Sequence, residues 1–167
     1  MRTGDDGPMD RASFLLTLPR KRVAAGAVIR DEQGRVCLVK GNYRPDWHFP
    51  GGTIEADESP AVGCEREIRE ELGLDLTMGR LLCVGWVHEP QDEHGALMFI
   101  YDGGVLDATT IGRIVLPADE LTDHRFVTVD EAASLVSERN LDRLRAALDA
   151  IANGGVAELD RAATPPP

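Results

Sequence analysis

The amino-acid sequence predicts an α/β protein in which helices cover both faces of a β-sheet. Its 167 residues match the length of one ordinary domain. They are 43% hydrophobic and 28% charged, which is enough apolar material for a core. Short β-branched stretches are interspersed with helical patterns along the chain, and this order is typical of a sheet between helices.

We expect the domain to extend over residues 21–155, between an N-terminal arm at residues 1–20 and a C-terminal tail at residues 156–167. The arm starts polar and turn-rich, whereas ASFLLTLP at residues 12–19 could form an edge strand or cover part of the core. The final ATPPP is expected to be disordered.

The first part of the domain is predicted to be a β-hairpin followed by a short strand. Residues 23–29 and 36–39 are apolar and enclose turn residues at 31–34, which predicts two antiparallel strands. Turn chemistry predicts a loop at residues 41–46. Residues 47–49 then form a short strand that stops at Pro50.

A helix with clear start and stop signals follows. Ser59 is a favourable N-cap, Pro60 suits the first turn, and Gly73 suits the left-handed position after the last turn. Beyond this helix, the pattern predicts strands at residues 81–87, 97–102, 113–116 and 125–127, and helices at residues 129–138 and 141–152.

The same helix carries most of a cluster of six glutamates that lies within residues 51–74. A helical wheel gives it one apolar stripe, formed by Ala61, Cys64, Ile68 and Leu72. Glu67, Glu70 and Glu71 are three and four positions apart, so their side chains share a second face beside that stripe.

This acidic face has two competing interpretations. A run of glutamates is most often a solvated helix face, although the carboxylates repel one another. Alternatively, the carboxylates bind hard divalent cations, which prefer oxygen ligands and offset the repulsion. The neighbours favour the cation site: Gly51 and Gly52 allow close approach of the preceding loop, Gly63 would leave room for a ligand, and Arg66 can donate to the carboxylates.

The stretch resembles the Nudix hydrolases, whose signature is G-x5-E-x7-R-E-U-x-E-E-x-G-U, with U a bulky apolar residue. The chain matches every constrained position, with Gly52, Glu58, Arg66, Glu67, Ile68, Glu70, Glu71, Gly73 and Leu74. The resemblance implies a Nudix-type α/β/α sandwich with a mixed central β-sheet over about residues 22–152.

The resemblance also implies the chemistry, which is hydrolysis of a diphosphate linkage in a nucleoside diphosphate joined to another moiety. Candidate substrates are ADP-ribose, a nucleotide sugar or a nucleoside triphosphate. Magnesium ions, for which manganese can substitute, would neutralise the diphosphate and activate water. The implied metal ligands are the Gly51 carbonyl, Glu67, Glu70 and Glu71.

Further roles follow from the same resemblance. Glu70 or Glu71 would orient or deprotonate the attacking water, Arg66 would hold the glutamates in register, and Glu58 would make a supporting contact. A carboxylate from a distant loop often joins such sites, and Glu120 is our first candidate for it, with Asp123 second.

A function of another class stays open, namely a non-catalytic nucleotide-binding sensor on the Nudix fold. Degenerate members of the family tend to lose the glutamates of the signature. This chain retains all of them, which favours the enzyme.

Composition limits the partners and the location. The formal net charge of −11 disfavours DNA, RNA and anionic lipid, so we expect a small nucleotide-derived substrate and no nucleic-acid or membrane partner. No apolar run approaches the ~20 residues of a membrane span and no signal peptide is evident, which predicts a cytoplasmic protein. A homodimer is compatible with such a fold. Scattered Cys37, Cys64 and Cys83 are expected to be partly buried free thiols.

Several other residues keep two interpretations. HEPQDEH at residues 88–94 is expected to be an acidic loop rather than a second metal cluster. Pro90 within it lies near the place of a proline that resembles a marker of ADP-ribose-cleaving members. Tyr43, Trp47 and Trp86 are either core residues or surfaces on which a base could stack.

Overall fold

The computed structural model describes residues 10–42, 45–87 and 95–160. The strands within these ranges are β1 (Arg22–Asp31), β2 (Val36–Gly41), β3 (Trp47–His48), β4 (Gly51–Thr53), β5 (Leu81–Val87), β6 (Ala96–Leu106), β7 (Leu121–Val127) and β8 (Ala157–Leu159). The helices are α1 (Arg11–Thr17), α2 (Pro60–Leu72), α3 (Ala108–Ile111), α4 (Val129–Ala132) and α5 (Glu138–Asn153).

The strands form one mixed sheet, as predicted. Its main order is β3-β2-β1-β6-β5-β8, while β4 pairs with β1 and β7 pairs with β2. The predicted hairpin of β1 and β2 is antiparallel, with Arg30 opposite Val36. β1 runs parallel to β6, and β8 runs parallel to β5.

Helices cover both faces of this sheet, which confirms the predicted sandwich. Because side chains alternate along a strand, neighbouring residues of β1 enter different cores. Val28 packs in the core that contains Leu144 of α5. Ile29 packs in the core that contains Ile68 of α2. The helices α2 and α5 therefore lie on opposite faces of the sheet.

α2 begins and ends where the sequence predicts. The Ser59 side chain accepts a hydrogen bond from Val62 N at 3.4 Å, and Pro60 occupies the first turn. Gly73 ends the helix with a left-handed φ of 68°. The predicted apolar stripe is buried through Cys64, Ile68 and Leu72.

The N-terminal segment differs from the prediction. Residues 12–19 form neither an edge strand nor a cover for the core, because α1 has no buried residue and Phe14 and Leu16 are 52% and 71% exposed. The Asp10 side chain accepts from Ala12 N and Ser13 N. This cap and the local helical hydrogen bonds satisfy the backbone without a neighbouring strand.

At the C-terminal end, the sheet continues beyond the predicted domain boundary at residue 155. β8 lies within the segment expected to be a tail, and it pairs with β5 through Cys83 opposite Ala157. The sequence analysis predicted the helix that precedes β8 but not the strand, which is only three residues long and directly follows Gly154, Gly155 and Val156. The final ATPPP lies outside the described residues.

The strand predicted at residues 113–116 is wrong. These residues form a loop after α3. Val115 N donates to the carbonyl of Leu72 at the end of α2, at 3.1 Å. Ile114 and Leu116 pack on the α2 core, so their alternating apolar pattern serves packing and not a ladder of strand hydrogen bonds.

The helix predicted at residues 129–138 is too long, because α4 ends at Ala132. The chain then turns to meet β3, where Trp47 N donates to Leu135 O at 3.1 Å and Trp47 bridges Val136. Ser137 next caps α5 by accepting from Asn140 N, so the second predicted helix starts earlier than expected.

The three cysteines are free, as predicted, and all are buried. Burial raises the pKa of the Cys37 thiol to about 12, which keeps it protonated. Among the helices of the described ranges, none combines the length and the apolar character that crossing a membrane requires.

Candidate active site

α2 turns its glutamates toward the loop that carries Gly51 and Gly52. Glu71 is only 2% exposed, and its Oε2 accepts a hydrogen bond from Gly51 N at 2.6 Å. This bond ties the last turn of α2 to the start of β4. The predicted approach of the glycine loop to the acidic helix face is therefore present.

Arg66 holds three of the glutamates together. Its Nε and Nη2 donate to the two carboxylate oxygens of Glu58 at 2.8 and 2.9 Å, and these bonds lower the pKa of Glu58. Its Nη1 donates to Glu67 at 3.0 Å and to Glu70 at 3.1 Å. Nη2 also donates to the Thr53 carbonyl at 3.0 Å. A planar guanidinium thus fixes the spacing of these carboxylates relative to β4.

Close contacts explain the loop glycines. A Cβ on Gly52 would lie 2.5 Å from the carboxyl carbon of Glu67. One on Gly51, whose φ is 133°, would lie 2.2 Å from a backbone oxygen of β1. Gly63 differs from expectation, since a Cβ there would lie 2.6 Å from Ile54 Cδ1. The space beside Gly63 is used by packing within the protein and not by a ligand.

A cleft of ≈ 560 Å³ lies beside these residues. Glu67 and Glu71 line it together with the loop glycines and Glu120, which lies immediately before β7. The first sequence candidate for a distant carboxylate therefore reaches the same cleft. Asp123, the second candidate, instead forms an ion pair with Arg125 at 3.2 Å and does not line the cleft.

Burial and like charge raise the proton affinity of these carboxylates. Burial raises the pKa of Glu71 to about 8; repulsion from Glu67 and Glu120 adds to the shift, and the hydrogen bond from Gly51 opposes it. Burial likewise raises the pKa of Glu67, with Glu70 and Glu120 adding to the shift against the hydrogen bond from Arg66. In the protein alone, Glu71 is therefore mostly protonated at neutral pH.

The donor set suits a hard divalent cation. Carboxylate oxygens are the ligands that Mg²⁺ prefers, and a cation would offset the repulsion that raises these pKa values. Within the described ranges, no three carboxylate, imidazole or thiol side chains already converge as a metal-binding group. In this arrangement Glu67 and Glu70 accept from Arg66, and Glu71 accepts from Gly51 N. A cation must compete with these bonds.

The cleft also has a basic side, which the sequence analysis missed. Arg139, Asn140 and Arg143 of α5 line it together with Arg22 at the start of β1. Because α2 and α5 lie on opposite faces of the sheet, acidic and basic side chains enter the cleft from opposite faces. Arg143 did leave a sequence signal, since it precedes Ala147 by four positions and shares the buried stripe of α5.

Neither tryptophan lines this cleft. Trp47 is 7% exposed in the core, and Arg125 lies 4.7 Å from its ring centroid. Trp86 does not line the cleft, and Lys21 Nζ lies 4.6 Å from its ring centroid. Tyr43 and the segment at residues 88–94, with Pro90, lie outside the described residues.

Comparison with known proteins agrees with this geometry. The NUDIX domain model matches residues 20–148. A MutT-like protein of Streptomyces ambofaciens is 29% identical over 125 residues, which are 75% of this chain and 75% of that protein. An 8-oxo-dGTP diphosphatase of Proteus vulgaris is 37% identical over 81 residues, which are 46% of this chain and 70% of that protein. A crystal structure of a MutT NUDIX hydrolase from Burkholderia pseudomallei has a TM-score of 0.63 at 25% identity, covering 78% of this chain and 97% of that one.

Other curated relatives are matched over smaller shares of their own length, from 6% to 60%. Their similarity therefore concerns the domain rather than each whole protein. The family model, by contrast, covers most of this chain, including all of α2 and the complete signature between Gly52 and Leu74. The chain belongs to the NUDIX domain family.

Proposed function

We propose that the protein is a Mg²⁺-dependent hydrolase that cleaves a diphosphate linkage in a nucleoside diphosphate joined to another moiety. The observation that carries this proposal is the cleft in which Glu67, Glu71 and Glu120 meet Gly51 and Gly52. Membership of the family supports the reaction class, because Nudix hydrolases generally use divalent metal ions.

The proposed metal ligands are the Gly51 carbonyl, Glu67, Glu70 and Glu71. When bound, Mg²⁺ supplies positive charge that neutralises the diphosphate and acidifies water. Glu71 is buried against Gly51, which suits a ligand. Glu70 does not itself line the cleft, but its side chain is 56% exposed in the turn between Glu67 and Glu71, which suits a base that must meet water. We therefore propose Glu70 as the base that accepts the proton of the attacking water.

Arg66 and Glu58 act as supports in this proposal. The paired bonds between them fix the guanidinium, and the guanidinium in turn orients Glu67 and Glu70. Glu120 adds a third carboxylate to the cleft from outside α2 and is proposed to complete the site.

The relative that is an 8-oxo-dGTP diphosphatase makes nucleoside triphosphates, ordinary and oxidised, the first substrate class to test. ADP-ribose and nucleotide sugars form the second class. The cytoplasmic location, the absence of a nucleic-acid partner and assembly as a homodimer stay predictions.

A substrate panel with mass-spectrometric identification of products tests the proposal. We expect Mg²⁺-dependent release of a nucleoside monophosphate from at least one substrate. Glu70→Gln should reduce kcat by about 10²–10⁴-fold if it removes the general base. Glu55→Gln, at an exposed position before α2, is the matched control and should retain activity. Tight binding of one nucleotide without turnover would instead favour the sensor.

A further inference from the structure

Arg143 is a buried cation in the wall of the cleft. It is 6% exposed, and it lines the cleft from α5. Its Nη1 donates to Asn140 Oδ1 at 2.8 Å. Its Nε and Nη2 are buried, and no hydrogen-bond acceptor for them exists among the described residues. One whole edge of the guanidinium therefore has no acceptor within the described protein.

Such an arrangement costs stability. Burial of a charge is unfavourable unless an opposite charge and hydrogen bonds compensate for it. Within the described ranges, none of the ion pairs includes Arg143. Burial, aided by repulsion from Arg139, lowers the pKa of Arg143 to about 10, so the group still carries its charge at neutral pH.

The neighbouring strand is shaped around this side chain. Gly85 of β5 faces the guanidinium, and a Cβ on Gly85 would lie 2.9 Å from Nε and 3.3 Å from Nη2. Any other residue at position 85 would crowd the edge that has no acceptor. Gly85 thus lets the buried Nε and Nη2 lie close against β5, and it is not one of the residues that line the cleft. A phosphate in the cleft therefore meets this edge only after the side-chain torsions of Arg143 turn it away from Gly85, and the inference includes that turn.

We propose that Arg143 binds a phosphate group of the substrate, on the α5 side of the same cleft. The inference rests on the proposed function, since it assigns a second anchoring point to that substrate. Two parallel N–H groups on one edge of a guanidinium match two oxygens of a phosphate. A neutral nucleobase could also accept the hydrogen bonds, but it would leave the buried charge of Arg143 uncompensated. A phosphate group supplies both the acceptor oxygens and the opposite charge, so we favour phosphate.

The acidic and basic sides of the cleft then have separate tasks. The acidic side, with Glu67 and Glu71, holds cations at the phosphate that is attacked. The basic side holds another phosphate directly, without a metal ion. This division orients the phosphate chain across the cleft, and a substrate with one phosphate removed should lose the contact with Arg143.

Binding of inorganic phosphate in EDTA tests the inference without any turnover. We expect phosphate to raise the Tm of the wild type, because a ligand of the native state stabilises it. In Arg143→Met the phosphate affinity should fall by about tenfold or more, the effect of losing a paired charged hydrogen bond. Arg145→Met removes the same charge from an exposed position of α5 and should leave the affinity unchanged. The Tm of Arg143→Met without phosphate should not fall below that of wild type.

Three results would overturn the inference. The first is no phosphate binding by the wild type, and the second is an equal affinity in Arg143→Met. The third is that Arg143→Met loses the binding of guanosine, a neutral nucleoside, but still binds phosphate as wild type does. That result would show that Arg143 contacts a nucleobase. Should Arg143→Met not fold, Arg143→Lys retains the charge without the two parallel N–H groups, and unchanged phosphate affinity in that variant also overturns the inference. Failure of hydrolysis by the wild type, measured separately with Mg²⁺, would refute the proposed function alone.

Discussion

Replacement of Glu71 by Gln should weaken a pH dependence of stability that the acidic cluster builds into the fold, because Glu71 contributes to it together with Glu67. In the unfolded chain this carboxyl group ionises near its ordinary pKa of 4.5, whereas burial raises its pKa in the folded protein to about 8. Between these values the folded protein binds more protons than the unfolded chain. The free energy of unfolding therefore falls as the pH rises through this interval.

The magnitude follows from the two pKa values. One pKa unit corresponds to about 1.36 kcal/mol, so the interval from 4.5 to about 8 sets an upper limit of roughly 5 kcal/mol. For a chain of this size, 1 kcal/mol changes Tm by about 2–4 °C. Glutamine is neutral at every pH, and its Oε1 can still accept from Gly51 N. Glu71→Gln therefore retains the hydrogen bond but loses the pH-dependent contribution of this carboxyl group to the free energy of unfolding.

Thermal unfolding in EDTA at pH 5 and pH 8 measures the effect. We expect the Tm of wild type to fall by at least about 5 °C more than that of Glu71→Gln across this range. Glu70→Gln, in the same turn but half exposed, is the matched control and should follow wild type. Parallel pH profiles for wild type and Glu71→Gln would refute the claim that Glu71 is buried and protonated.

Three further predictions concern the acidic cluster. Arg66→Met should lower Tm by about 5–10 °C in a thermal melt, because several charge-assisted hydrogen bonds are lost; Arg69→Met, whose ion pair is exposed, should change it by no more than about 2 °C. Gly52→Ala should weaken Mg²⁺ binding in calorimetry by about tenfold, because a Cβ would lie 2.5 Å from the Glu67 carboxyl carbon. Gly112→Ala, where the nearest atom is 3.4 Å away, should bind as wild type does. Millimolar Mg²⁺ should raise the Tm of wild type by a few degrees and that of Glu67→Gln by less, and equal shifts would contradict the ligand assignment.

Local signals predicted α2 well because its boundaries depend on local chemistry. The Ser59 cap, Pro60 and the left-handed Gly73 act within one turn of the helix. The strand predicted at residues 113–116 failed for the opposite reason. Its apolar alternation is real, but Val115 finds its hydrogen-bond acceptor in Leu72 at the end of a helix, which no local pattern reveals.

The candidate site divides in the same way. The spacing of Glu67, Glu70 and Glu71 places them on one helix face, so their grouping could be predicted from the sequence. Arg66 is close enough along the helix to belong to that pattern. Glu120 carried no signal of its own, and it was a candidate only through resemblance; its place in the cleft depends on how β7 packs against β2.

The sequence by itself determined the sandwich, the glutamate helix and the family, because periodicity, caps and motif spacing are properties of neighbouring residues. Only the tertiary structure decided that Glu71 is buried, that Glu120 joins it, and that Arg143 stands on the other side of the cleft without an acceptor for one edge of its guanidinium. Burial and charge pairing arise from contacts between residues that are far apart in the chain. They exist only after the sheet has formed and has placed α2 and α5 beside the same cleft.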